Sequence, residues 1–137
     1  MTTLTQTQSG LETRLRTIAG LEVSGYAPDA ATPPAAIVQL PTAEQYRIDL
    51  AEDTFNPTWE IVVVVTAEHP QAQLDLLPYL DRTGTKSVFA AINGDRSLGG
   101  LDVDANVLSA RQLGKVEIAG TVYYGAAVTV QVLVGNG

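Results

Sequence analysis

A chain of 137 residues, 45% of them hydrophobic, holds one apolar core and no second one; fifteen acids against eight bases give a formal net charge of −7. The bases are scattered from Arg14 to Lys115, which excludes the clustered Lys/Arg surface that counterion-release binding to nucleic acid requires. The lack of any cysteine excludes disulfides, thiolate metal sites and cysteine nucleophiles. The longest apolar run, Ile61 to Val65, is too short to span a bilayer. The opening "MTTLTQTQSG" has no basic segment followed by an apolar one, so no signal peptide is expected.

Leu11, Leu15 and Ile18 recur at helical spacing and predict a helix with one buried face. Ser9 and Glu12 have the separation of a capping box and Gly20 is placed to stop the helix; a start near Thr3 would add Leu4 to the same face. Residues 1–8 are otherwise expected to be disordered. Leu21 to Tyr26 predicts a short strand, "APDAATPP" a loop, and residues 35–40 a strand stopped by Pro41. In residues 42–57, Tyr46, Ile48 and Leu50 alternate among Glu44, Arg47, Asp49, Glu52 and Asp53. We read an irregular or edge strand there, running into a protruding loop.

Residues 58–68, "TWEIVVVVTAE", are apolar on both faces through the valine run and predict a central strand covered on both sides. In "HPQAQLDLLPYLD", Pro70 suits a first helical turn, Leu74, Leu77 and Leu80 predict the buried face, and Pro78 should kink or shorten the helix. A second short helix is expected from Ser87 to Asn93, burying Val88, Ala91 and Ile92. Residues 105–120 lead through Ala119-Gly120 into a final strand whose even positions, Val122 through Val134, share one face. Its length predicts a bend or bulge near Gly125. The expected fold is a single α+β domain over 1–137, with a mixed or mainly antiparallel sheet, about three helices packed against it and a long C-terminal β-hairpin.

"TGTKSVFAAINGDRSLGG", residues 83–100, invites a phosphate-loop reading, but Gly84, Lys86 and Ser87 lack the upstream glycine and the preceding strand. Helix ends and caps explain the same residues: Gly84 breaks the chain, Thr85 or Ser87 caps the next helix, Gly94 ends it, and Gly99-Gly100 makes a turn. His69 is the only histidine, too few for an imidazole metal site and without a G-x-S-x-G context for a triad. Asp102 with Asp104, and Glu52 with Asp53, read as solvated turn acids without a calcium-loop pattern. Trp59, Tyr123 and Tyr124 read as core or cross-strand aromatics. No catalytic, cofactor or metal site is expected, and the chain is not read as an enzyme.

Taken in order, several segments resemble the tail terminator proteins of long-tailed (siphovirus) bacteriophages, the actinobacteriophage type in particular. They are the opening helix running into "GLEVSGYAPD", "PPAAIVQLP", "WEIVVVV" after the acidic segment, "QLDLLPYLDRTGTKSVFAAINGDRSLGG" and "YYGAAVTVQV". The likeness covers Leu11 to Val134. It implies an α+β subunit of a hexameric ring that caps the tail tube, ends tube polymerisation and offers the surface for head–tail joining. The implied partners are its own copies, the tail-tube protein and a head-completion or stopper protein, within a virion assembled in the host cytoplasm. No catalytic residues carry over. Glu44, Arg47, Asp49, Glu52, Asp53 and Phe55 are the candidate interface or lumen loop, where acids would let genomic DNA pass without sticking. The alternatives are another head–tail interface protein, such as a head-completion protein or tail-tube subunit, and a small-molecule-binding α+β domain.

Overall fold

The computed structural model describes residues 3–18, 20–24, 34–39, 41, 57–66, 72–101, 103–118 and 120–134. Helix α1 runs Leu4–Leu15, so it starts within residues 1–8, for which disorder is expected. Its cap is Thr3, whose hydroxyl accepts the Gln6 N–H at 3.2 Å while Gln6 Oε1 accepts the Thr3 N–H at 2.9 Å. The expected Ser9–Glu12 box is therefore not used. Ser9 lies mid-helix, its carbonyl accepting the Thr13 hydroxyl at 2.8 Å, because the earlier cap starts the helix about one and a half turns sooner and leaves the amides after Ser9 with intrahelical acceptors.

Five strands follow the period-2 pattern: β1 Glu22–Ser24, β2 Ala35–Val38, β3 Thr58–Thr66, β4 Val103–Ile118 and β5 Thr121–Val134. They form one sheet in the order β1-β2-β3-β5-β4, parallel between β1 and β2 and antiparallel elsewhere. The valine-rich β3 is central, as its two apolar faces require. Trp59, Ile61, Val63 and Val65 join the main core, while Val62 and Val64 join Ala35, Ile37, Ile118 and Tyr123 in a second buried cluster. Helices α2 (Ala72–Leu80) and α3 (Val88–Asn93) share the main core with α1, so all three helices cover the same face. Among the described residues, the second cluster draws on strands alone. The fold is α+β with one mixed sheet, three helices and a long C-terminal strand pair. No helix among the described residues is long and apolar enough to cross a membrane.

Two expectations need correction. In α2 the buried residues are Leu76 and Tyr79, while Leu74 and Leu77 are 58% and 57% exposed and only Leu80 of the expected stripe packs against the core. Both stripes are apolar, so periodicity cannot choose between them; burying the Tyr79 ring removes more apolar surface from water. Pro78 lies inside the helix, which ends two residues later at Leu80. The second correction concerns the bulge. A register shift does fall at Gly125, but the extra residue lies in β4, between Gln112 and Gly114, with another shift between Val107 and Ser109, while β5 is uninterrupted. Gly125 is there for space instead: a Cβ would lie 2.9 Å from Val116 Cγ2 and 3.1 Å from the Val63 carbonyl oxygen and Val64 Cγ1. The paired residues Ile118 and Thr121 leave a two-residue turn, with Gly120 at φ 85°.

Candidate functional site

The glycine-rich segment 83–100 is closed on itself. Gly84, at φ 109°, turns the chain out of α2. Ser87 is buried; its hydroxyl donates to the Asp81 carbonyl oxygen and accepts the Ala90 N–H at 3.0 Å, fixing α3 to the end of α2. Lys86 stands exposed, its Nζ 6.0 Å from the Tyr79 ring centroid. After α3, Asp95 takes the place an anion would need. Its Oδ1 accepts from the Ser97 hydroxyl at 2.6 Å and the Ser97 N–H at 3.3 Å, and its Oδ2 from the Gly99 N–H at 3.1 Å. Ser97 Oγ in turn accepts the Gly100 N–H at 3.1 Å. The Ser97, Gly99 and Gly100 amides are thus spent on the loop's own carboxylate and hydroxyl.

This loop is a structural clasp. Arg14 Nε donates to the Ala91 carbonyl at 2.8 Å, joining α1 to α3. Arg96 bonds the Ala105 carbonyl at 3.1 Å and Asp104 at 2.8 Å, joining the loop to the start of β4. Leu98, buried at φ 53°, sits against Gly10 of α1, where a Cβ would approach Leu98 Cβ to 2.8 Å. The Ser97 hydroxyl foremost, then the Gly99 and Ser97 N–H groups and the Arg14 charge, hold the Asp95 carboxyl below its ordinary 3.8. A depressed folded-state value gives stability that is complete above the unfolded value and is lost as pH falls through the folded one. Asp95→Asn is therefore expected to lower Tm above pH 3.8, with the gap to wild type closing on further acidification. Thermal melts across pH check this, and a gap independent of pH would refute it.

The candidate loop residues Glu44, Arg47, Asp49, Glu52, Asp53 and Phe55 lie outside the described residues, as do His69 and Asp102. Seven of the fifteen acids, but of the eight bases only Arg47, fall outside them. The described residues, with eight acids and seven bases, are accordingly close to neutral, and most of the acidic excess lies outside them. Among the described residues no three His, Cys, Asp or Glu are grouped to hold a metal ion. Trp59 is buried in the main core and Tyr123 in the second cluster, so neither offers a stacking face.

What the sequence did not announce is a groove between α2 and the β4–β5 hairpin. One cleft of about 260 Å³ lies among Leu74, Leu77, Leu80, Gln112, Tyr124 and Ala126. A second, of about 220 Å³, continues beyond Leu80 among Arg82, Phe89, Leu108, Ala110 and Val128. The shared floor is the helix-facing side of β5, where the small Ala126 leaves space between Tyr124 and Val128. Of the residues lining these two clefts, Arg82 alone is charged; its guanidinium stacks 5.5 Å from the Phe89 ring centroid. A third cleft of about 300 Å³ on the other flank of α2 holds Asp75, Tyr79 and Lys86. Burial, and then the Asp75 charge, push the Tyr79 phenol above its ordinary value, so it stays protonated at neutral pH. The sequence signal for the groove was the doubled apolar stripe of α2: two stripes on one short helix leave one without a place in the core.

No protein-family model and no curated protein matches this chain.

Proposed function

We propose that this chain is a structural virion protein: a subunit of a ring that caps a phage tail tube, ends its polymerisation and presents the surface for head–tail joining. The observation that carries the proposal is the match in order and spacing of the quoted segments to tail terminator proteins from Leu11 to Val134. The α+β architecture is of the kind that likeness implies. The Ser87 hydroxyl, engaged with the Asp81 carbonyl and the Ala90 N–H, counts against a phosphate-loop use of Gly84, Lys86 and Ser87. An acidic excess that lies mostly outside the described residues, four of its acids within residues 42–57, suits a ring with a DNA passage, since like charge keeps phosphates moving.

Electron microscopy of the purified protein, alone and with tail-tube protein, tests this. The expected result is closed single rings that bind tube ends and hold tubes to finite length. Long cylinders of this chain alone would reassign it to the tube, and a monomer indifferent to tube ends would sink the proposal. Reversing Glu44, Asp49, Glu52 and Asp53 together should impair DNA passage while rings still form; unimpaired passage would remove the lumen role from these residues.

A further inference from the structure

We propose that Asn93–Gly94, at the junction of α3 and the glycine-rich loop, is a self-modification site: Asn93 deamidates through a succinimide when Arg14 of α1 lets go of α3. The inference is independent of the phage reading and of the self-association it entails. Two Asn-Gly pairs occur in the chain, and of these 93–94 is the one among the described residues.

The pair itself supplies the chemistry. The Gly94 backbone nitrogen, on losing its proton, attacks the Asn93 side-chain carbonyl carbon. A C–N bond closes a five-membered ring, and the side-chain nitrogen takes up a proton and leaves as ammonia. Water then opens the succinimide at either carbonyl, giving aspartate or isoaspartate at position 93. Glycine after the asparagine favours the attack, because no Cβ hinders the nitrogen and the backbone turns freely. Gly94 is exposed, so water reaches the ring.

The closed structure blocks the first step. Asn93 is the last residue of α3, and Gly94 continues the helical backbone at φ −65° and ψ −24°. The Gly94 N–H donates to the Ala90 carbonyl at 2.9 Å and the Asp95 N–H to the Ile92 carbonyl at 3.2 Å. Ring closure needs Asn93 turned out of helical ψ, and the hydrogen bond keeps the Gly94 proton in place. Six residues, however, are too few to hold a helix unaided. The hold is tertiary. Arg14 Nε donates to the Ala91 carbonyl at 2.8 Å, and a Cβ placed on Gly94 would lie 3.2 Å from Arg14 Nη2. The guanidinium thus lies over the end of α3, where a cation also complements the helix dipole.

Modification is one-way for the fold. Asn93 Oδ1 is buried with no hydrogen-bond partner among the described residues. Aspartate puts a charge in that place, at the carboxyl end of a helix and two residues from Asp95. Isoaspartate lengthens the backbone by one carbon. Neither re-forms the closed turn, so a chain that has reacted stays open at the α1–α3 contact.

The full chain is incubated in mildly alkaline buffer, and peptide mapping by mass spectrometry follows aspartate and isoaspartate at position 93. The folded wild type is expected to react about tenfold or more slowly than the same chain in urea. Arg14→Ala should raise the folded rate about threefold or more. Val62→Ala, which loosens the second buried cluster and leaves the α1–α3 contact intact, should raise it less. Circular dichroism checks that both variants fold. Equal acceleration by the two would tie the reaction to global unfolding and overturn the Arg14 gate. A slower Arg14→Ala would overturn it too, making the guanidinium a promoter of the attack. Equal rates folded and in urea overturn protection by the fold, and no product at position 93 in urea overturns the site itself.

Discussion

Trp59→Ala is expected to cost about 3–5 kcal/mol of folding stability, which for a chain of this size is a Tm fall of roughly 10–20 °C. Trp59 is 1% exposed on the central strand, opposite Val130, and is the largest fully buried side chain among the described residues. Its removal opens a cavity in the core shared by all three helices, and the walls of that core, Ile61, Val63, Val130 and Val132, belong to paired strands that cannot collapse inward. Trp59→Phe separates volume from polarity. The indole Nε1 has no hydrogen-bond partner among the described residues, so phenylalanine removes an unsatisfied donor while keeping most of the ring. Its expected cost is about 1 kcal/mol. Denaturant melts of both variants check the pair; a Trp59→Phe loss well above about 1 kcal/mol would mean that the indole N–H does have an acceptor.

Gly125→Val is expected to destabilise by about 3 kcal/mol or more, against the sign that strand propensity gives. Valine is the better β-former by up to about 1 kcal/mol, and Gly125 does not have a positive φ that only glycine favours. Contact decides instead. The first added carbon already meets Val116 Cγ2 at 2.9 Å and the Val63 carbonyl oxygen at 3.1 Å, before the two methyls are placed. Because the nearest atom is a side-chain methyl, Val116→Ala should recover part of the loss in a double-mutant cycle. The Val63 carbonyl cannot retreat without breaking the β3–β5 ladder, so recovery should stay incomplete. A stable Gly125→Val single variant would show that the hairpin can shift over β3.

Local signals carried much of this fold. The caps at Thr3 and Ser87, the stop at Gly84 and the turn at Gly120 follow from side-chain and backbone chemistry within a few residues. The valine run of β3 and the alternation of β5 announced a central strand and its long neighbour. The failures share a cause. Ser9–Glu12 and Thr3–Gln6 are both valid capping boxes, and Leu74–Leu77–Leu80 and Leu76–Tyr79 are both apolar stripes, so each choice turned on neighbours distant in sequence. The bulges of β4 left no local mark beyond a loss of alternation between Val107 and Gly114.

By itself, then, the sequence determined the elements, their order and the central place of β3, because hydrophobic period and cap chemistry act over one or two turns. Tertiary structure decided which face of α2 is buried, which strand of the hairpin bulges, and that Asp95 closes the glycine-rich loop on itself. It also decided where the unused leucines gather. Each of those outcomes depends on which surfaces the sheet has left uncovered, and burial against a distant strand outweighs any preference written within a few residues.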